Sequence, residues 1–225
     1  MSKSEIAKRY GLFIISLFFS ALGVAFTKHG ELGVSPVSSV ANVMSIKFTF
    51  LSMGNWLIIW NCILVLGQIL ILRKKFQPIQ LLQIPLSFVF GWFTDLGLWM
   101  VSPIPTDWYP IRLLMVILGI VILGFGIALA VAANVIMNSG EAFVKAVADT
   151  VRKQFGNVKI AFDVTNVLLA LVLSLAFFNF TIVGAREGTV ISALGTGIVV
   201  KFFSKRLNEP LNRVLKGKTN HEKAK

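Results

Sequence analysis

The chain has 225 residues, 56% of them hydrophobic and only 14% charged, with a mean hydropathy of +0.78 and a formal net charge of +12. Soluble domains carry roughly 25% charged residues, so a soluble domain of this size could not bury so much apolar surface. Apolar runs of about 20 residues, the length that crosses a bilayer as a helix, recur without the alternation of barrel strands. We therefore expect an all-α integral membrane protein, with the lipid bilayer as its first partner.

The charge and the reactive residues exclude several other classes of protein. In a soluble chain this charge would suggest a nucleic-acid partner, but basic residues collect in the cytoplasmic loops of membrane proteins. Cys62 is the single cysteine, and His29 and His221 are the two histidines. Neither a disulfide, a metal cluster nor a membrane-embedded Ser–His pair is therefore expected. We predict a protein that is not an enzyme, has no cofactor or metal, and binds no nucleic acid.

Six apolar segments and two shorter helices are predicted in chain order. The segments lie at residues 10–27, 56–72, 81–101, 111–137, 160–180 and 188–203. The shorter helices are predicted at about 36–48 and 139–154, directly after the first and fourth segments. At 1.5 Å per residue, a helix over 36–48 is about 20 Å long, which is too short to span the bilayer.

Lysines and arginines indicate the orientation of the six segments. With the N-terminus placed in the cytoplasm, 18 of the 22 basic residues fall on the cytoplasmic side. The other side keeps only Lys28, Lys47, Arg112 and Arg186. This bias predicts a plasma-membrane protein with both termini in the cytoplasm.

An internal duplication is indicated by matches at a nearly constant spacing. The stretches that begin at Gly23 and Gly126 align at an offset of 103, and they pair Ser35 with Asn138. Farther on, "GNWLIIWN" (54–61) aligns with "GNVKIAFD" (156–163) at an offset of 102. Together these matches predict two repeats, 1–103 and 104–225.

The third and sixth segments match poorly, and only Gly91 with Gly195 is suggestive. Because each repeat holds three spans, an odd number, the second must enter the membrane from the opposite side. We therefore predict a 3+3 inverted-topology repeat, an arrangement found in transporters and some channels.

The starts of the two short helices are the predicted binding site. Ser35 is a favourable N-cap and Pro36 suits the first helical position, while Asn138 and Glu141 fit a capping box. Two readings stay open. The helices could be re-entrant, with N-termini that meet near the midplane and bind an anion or a polar solute, or they could be interfacial helices after surface loops. The predicted substrate-binding residues are Ser35, Pro36, Ser38, Ser39, Asn138, Ser139, Gly140, Glu141 and Asp95.

Three acidic residues have two readings each. Asp95 lies well inside the third span, where it could bind a proton or a cation, or pair with a helix amide. Glu141 could line the site or only cap its helix. Asp163, about one turn into the fifth span, could be a functional intramembrane carboxylate, or it could have a solvated or capping role near the inner interface.

Three stretches carry a resemblance to a known family. They are "ALGVAFTKHGELGVSPVSSV" (21–40), "GWFTD" (91–95) and "GTVISALGTGIVVKFF" (188–203). In these the chain resembles the YitT/YczE-type bacterial membrane proteins over most of residues 9–204. The resemblance implies a polytopic protein of the bacterial inner membrane with duplicated halves, and it implies no substrate.

The sequence leaves three functions open. The first is a transporter or channel that moves a small polar solute, an anion being one option, through a central site between the short helices. The second is the substrate-binding subunit of a vitamin-type ATP-driven importer, and the third is a non-transporting accessory protein. Either one chain or a homodimer could form the pathway.

Overall fold

The computed structural model describes residues 3–216, and this part of the chain is all-helical, as predicted. Two short 3-10 turns, Arg73–Lys75 and Pro78–Leu82, join the third and fourth α-helices. The α-helices are α1 (Lys3–His29), α2 (Pro36–Lys47), α3 (Met53–Leu72), α4 (Gln83–Val101), α5 (Tyr109–Ala133), α6 (Ser139–Val151), α7 (Phe155–Phe177) and α8 (Glu187–Lys216).

Five helical segments of the described chain are long and apolar enough to cross a membrane. They are Ser4–His29, Met53–Lys75, Pro78–Val101, Tyr109–Ala133 and Phe155–Phe177. These correspond to the first five predicted spans and indicate an integral membrane protein. The sixth predicted span lies in α8, which is not among them; Lys201 lies inside that predicted span and Lys205 just after it.

The fourth and fifth spans begin and end earlier than predicted. α5 stops at Ala133 rather than near residue 137, because Asn134 adopts a left-handed conformation with φ of 49° and ends the helix. An irregular segment then leads to α6, which ends at Val151 because Arg152 is also left-handed. The cytoplasmic tail predicted after the last span is helical as far as residue 216, and residues 217–225 lie outside the described part.

α1 and α5 pack against each other at the centre of the molecule through glycines. A Cβ atom added to Gly23 would lie 2.7 Å from the carbonyl oxygen of Gly119, and one added to Gly126 would lie 2.5 Å from the amide of Ser20. Small residues allow such close backbone approach between membrane helices. α4 packs on α1, and α8 packs on α5.

Each short helix runs beside one half of a long helix from the other part of the chain. Along α2, Ser39 Oγ donates to the carbonyl of Asn166 in the middle of α7 (3.3 Å), and Lys47 Nζ donates to the carbonyl of Phe177 at its end (3.0 Å). α6 lies beside the second half of α3, where the ring of Phe143 meets Gly67.

The helix bundle has two ends that are named here after one residue each. The Lys47 end holds the C-termini of α1, α2, α4 and α7 and the N-termini of α3, α5 and α8. The Arg9 end holds the C-termini of α3 and α5 and the N-termini of α4 and α7; there Arg9 Nη1 donates to the carbonyl of Ala133 (3.0 Å). Under the predicted orientation, the Arg9 end faces the cytoplasm.

Candidate functional site

A cavity of about 840 Å³ lies beside the first turns of α2 and α6. Its wall is mostly apolar, with side chains from α1, α3, α4, α5, α7 and α8. At the Arg9 end the lining includes Gln83, Asn134 and Phe155, which lie at ends of α4, α5 and α7. The polar and charged residues in the lining are Ser20, Ser35, Ser38, Asn61, Gln83, Ser87, Asn134, Asn138, Ser139, Glu141, Lys159, Asp163, Ser192 and Thr196.

The N-termini of the two short helices touch each other at this cavity. Their N-cap residues have nearly the same backbone conformation, with φ and ψ of −57° and 149° at Ser35 and of −58° and 153° at Asn138. A Cβ atom added to Gly140 would lie 3.2 Å from Cγ1 of Val37. Two positive helix ends therefore meet beside one cavity.

The predicted side-chain caps are not formed, which corrects the capping-box interpretation. Neither the Ser35 nor the Asn138 side chain accepts a hydrogen bond from its own helix. Ser35 Oγ instead donates to Ser38 Oγ (3.0 Å). The first-turn N–H groups are thus not capped by these side chains, although the Ser38 N–H donates to the Ser35 carbonyl (3.0 Å).

One cluster of charged side chains lies in the cavity wall. Lys159 Nζ contacts Asp163 Oδ1 at 2.5 Å, one turn apart on α7. Burial raises the pKa of Glu141, the nearby Lys159 opposes that shift, and the charge of Asp163 adds to it. The cavity wall thus holds two carboxyl groups and one ammonium group. Among the described residues, no three His, Cys, Asp or Glu side chains come together as a metal ion would require.

Two further polar groups in the lining residues are buried without a hydrogen-bond partner in the described structure. They are Ser20 Oγ and Trp60 Nε1. A buried polar group without a partner costs about 1–3 kcal/mol, so a bound molecule or ordered water that satisfied these groups would be stabilised. By contrast, the Ser139 carbonyl already accepts from Gln68 Nε2 (3.2 Å).

The structure brings seven of the nine predicted site residues to the cavity. They are Ser35, Pro36, Ser38, Asn138, Ser139, Gly140 and Glu141. Ser39 lies outside the lining: its Oγ donates to the Pro36 carbonyl (2.6 Å) on its own helix.

Asp95 also lies outside the cavity and binds the start of α3. Its Oδ1 accepts from the Gly54 N–H (2.8 Å), and its Oδ2 accepts from the Ser52 hydroxyl. Of the two roles left open by the sequence, this geometry fits the helix-amide partner, because a carboxylate is favourable at a helix N-terminus.

A family model described as a family of unknown function (DUF6198) matches residues 7–205. The chain belongs to this family. The DUF6198 match contains every residue of the cavity wall, from Phe13 to Val200. No curated protein and no solved structure matches the chain. The match does not link DUF6198 to the YitT/YczE-type proteins, so that resemblance stays a prediction.

Sequence reasoning missed several residues of the site. Lys159 was not among the predicted residues, although its i, i+4 spacing from Asp163 is a recognisable sign of a helical ion pair. Ser20 and Trp60 gave no signal, because a lone serine or tryptophan in an apolar run is indistinguishable from packing. Only the tertiary fold brings them to the cavity.

Proposed function

We propose that this protein is a six-span membrane transporter made of two inverted repeats. It would move a small polar solute through the cavity, with both termini in the cytoplasm. The observation that carries the proposal is the contact between the N-termini of α2 and α6, where a Cβ atom added to Gly140 would lie 3.2 Å from Val37 Cγ1, beside a cavity with charged residues in its wall.

Backbone conformation supports the duplication. Glu31 and Asn134 both have positive φ, 57° and 49°, and they lie 103 positions apart. The N-caps Ser35 and Asn138 have the same offset and nearly the same dihedral angles. A non-glycine residue with positive φ is uncommon, so this coincidence in two connecting segments favours a common origin.

The contact between α1 and α5 also supports the duplication. Gly23 meets Gly119 and Leu123, and Gly126 meets Ser16 and Ser20. Adding 103 to Gly23, Ser16 and Ser20 gives Gly126, Gly119 and Leu123, so each contact has its counterpart. Such exchange of partners is what an approximate two-fold axis between the helices would produce.

Two arginines are related by the same offset of 103 positions. Arg9 donates to carbonyls at the end of α5, and Arg112, 103 positions later, pairs with Glu31 just after α1 (3.3 Å). Each arginine near the start of a central helix thus contacts the end of the other central helix. Positive side chains are favourable at helix C-termini.

Repeat symmetry also supports the sixth span and the re-entrant reading. α8 packs on α5 as α4 packs on α1, so α8 takes the place of a spanning helix in the second repeat. α2 lies beside the half of α7 nearest the Lys47 end, while α6 lies beside the half of α3 nearest the Arg9 end. Two short helices that enter from opposite sides and meet with their N-termini have this arrangement.

The charges in the cavity wall limit which charge the solute can carry. If Glu141 is ionised, the three charged side chains sum to one negative charge, which repels anions. If Glu141 is protonated, the cluster is neutral and the positive helix ends attract an anion or the negative pole of a dipole. Protonation of Glu141 would then accompany binding of an acidic solute, and this would couple its movement to protons.

A thermal-shift screen tests the proposed site. The purified protein would be heated with amino acids, carboxylates, sugars, nucleosides, phosphate and sulfate, each as a separate probe. We expect one class to raise the melting temperature, and a ligand at 100 times its Kd stabilises by about 2.7 kcal/mol. Asn138→Ala and Lys159→Gln should weaken the binding of that probe about tenfold. Lys145→Gln, on the exposed side of α6, should bind it normally.

Two outcomes would contradict the proposal. One is a probe whose binding is unchanged in both cavity variants. The other is a probe that binds but is never accumulated by proteoliposomes containing the protein, which would favour an accessory or binding subunit. Purification together with an ATPase would favour the importer subunit, for which no inverted repeat is needed.

A further inference from the structure

The two halves differ in one contact between long helices. α3 and α4 pack against each other, and a Cβ atom added to Gly91 would lie 2.7 Å from the carbonyl oxygen of Gly54. α7 and α8, their counterparts, do not form a packed pair in the described part of the chain. The central contacts have counterparts in both halves, but this outer contact has none.

The residues for the missing contact are nevertheless present in the second half. Gly54 aligns with Gly156, and Gly91 aligns with Gly195. A Cβ atom on Gly156 would meet nothing within 4 Å, and Gly195 faces Ile120 of α5 rather than α7. The second half thus has a glycine pair, Gly156 and Gly195, like the pair that packs α3 on α4, but these two glycines are not in contact.

The space between α7 and α8 belongs to the cavity. Ile160 of α7, 65% exposed, and the exposed Ala193 and Gly197 of α8 all line it. The lining also reaches Gln83 and Phe155 at the Arg9 end. The cavity therefore extends between α7 and α8 and reaches the Arg9 end, which the charge bias predicts to be cytoplasmic.

The packed pair has a polar contact that its counterpart cannot make. Asp95 of α4 binds the hydroxyl of Ser52 and the amide of Gly54 at the start of α3. Asp95 lies four residues after Gly91. The equivalent position in α8, four residues after Gly195, is Val199. A valine cannot accept these hydrogen bonds, so only the α3–α4 pair is held by a carboxylate.

We propose that α3 with α4 and α7 with α8 are two alternating gates of the transport pathway. In this structure the α3–α4 gate is closed by Asp95 and the α7–α8 gate is open. In the opposite state, Gly156 approaches α8 while Gly54 separates from Gly91. This inference rests on the proposed transport function and specifies how access to its site is exchanged.

Thiol labelling can follow both gates at once. Ile58 and Ile160 are counterparts at an offset of 102; Ile58 packs at the Gly91 contact, and Ile160 lines the cavity. Single cysteines would be introduced as Ile58→Cys and Ile160→Cys, with Cys62→Ser in both. The purified protein in nanodiscs would react with a small charged methanethiosulfonate, which modifies thiols that water reaches. We expect fast labelling at position 160 and slow labelling at position 58.

Asp95→Asn tests whether the gates are coupled. Because it weakens a hydrogen-bonded carboxylate contact, we expect labelling at position 58 to rise about tenfold and labelling at position 160 to fall. Asp107→Asn, an exposed acid at the same end of the bundle, is the matched control and should change neither rate.

Three results would overturn the alternating gates. They are no change at either position, a rise at position 58 without a fall at position 160, and a rise at both, which would mean general loosening. The assay uses no solute. A failed solute screen with reciprocal labelling would thus count against the proposed transport site alone, and solute uptake without reciprocal labelling would count against the gates alone.

Discussion

Glu141 lies in the first turn of α6, and its carboxyl group shares the cavity with Lys159 and Asp163 of α7. α3, the other helix packed on α6, contributes no charged residue. Burial, opposed by Lys159 and a backbone hydrogen bond and aided by the charge of Asp163, therefore raises the pKa of Glu141. Since burial is the larger effect, the folded protein holds this proton more tightly than an unfolded chain does.

Glu141 should therefore make stability depend on pH. A group with a raised pKa binds more protons in the folded state, so the free energy of unfolding falls as pH rises from the ordinary value of 4.5 to the raised one. The loss amounts to about 1.4 kcal/mol for each unit of increase in pKa. We expect Glu141→Gln to make stability less dependent on pH in this range. The measurement is the melting temperature between about pH 4.5 and 8.

Asp149→Asn is the control for this measurement. Asp149 is an exposed acid on the same helix, 3.8 Å from Lys145. The pH dependence of this variant should match that of the unmodified protein. Parallel curves for Glu141→Gln and the unmodified protein would contradict the proposed role of burial.

Among the helices, the most extensive packing is between α1 and α5. Gly126 faces the backbone of Ser20, and a backbone amide cannot move aside as a flexible side chain can. Any larger residue at this position must therefore push the two helices apart. Gly11, also on α1, has nothing within 4 Å of an added Cβ atom.

Gly126→Val should consequently be much more harmful than Gly11→Val. We expect the first change to lower the free energy of unfolding by about 1–3 kcal/mol, because an overpacked contact forces backbone shifts. The second should change it little. Denaturation of both variants in detergent would measure the difference, and equal effects would show that the central pair is not tightly packed.

The positions of most helices could be predicted from the sequence, because apolar length and the Ser-Pro start are local signals. The end of α5 could not be predicted, since the apolar run of the sequence continues past Asn134 although the helix ends there. The capping interpretation of Asn138 and Glu141 was also wrong: the spacing fits a capping box, but Asn138 does not cap the helix. The pairing of Asp95 with Gly54 depends on how α4 packs on α3, which no local pattern encodes.

At the scale of the whole molecule, the two proposed repeats, offset by about 103 positions, meet at α1, α5 and the starts of α2 and α6. The central contacts are alike in both halves, while the outer pairs differ. A protein with a fixed centre and two different outer pairs can exchange the roles of those pairs without rearranging its core. The transport proposal depends on this division, and above all on the meeting of the two short helices.

A disulfide between those helices is the most direct test. Val37→Cys and Gly140→Cys would be combined with Cys62→Ser, and a protease site would be placed in the exposed α4–α5 connection at residues 102–108. A Cβ atom at position 140 lies 3.2 Å from the Val37 side chain, within reach of a disulfide. The control replaces Gly140→Cys by Val151→Cys, at the far end of α6 and about 17 Å away along the helix.

After oxidation and cleavage, we expect the Val37→Cys/Gly140→Cys protein to migrate as one species until it is reduced. The control should separate into two fragments without reduction. If the first protein also separates into two fragments, the N-termini of α2 and α6 do not meet, and the central binding site is contradicted.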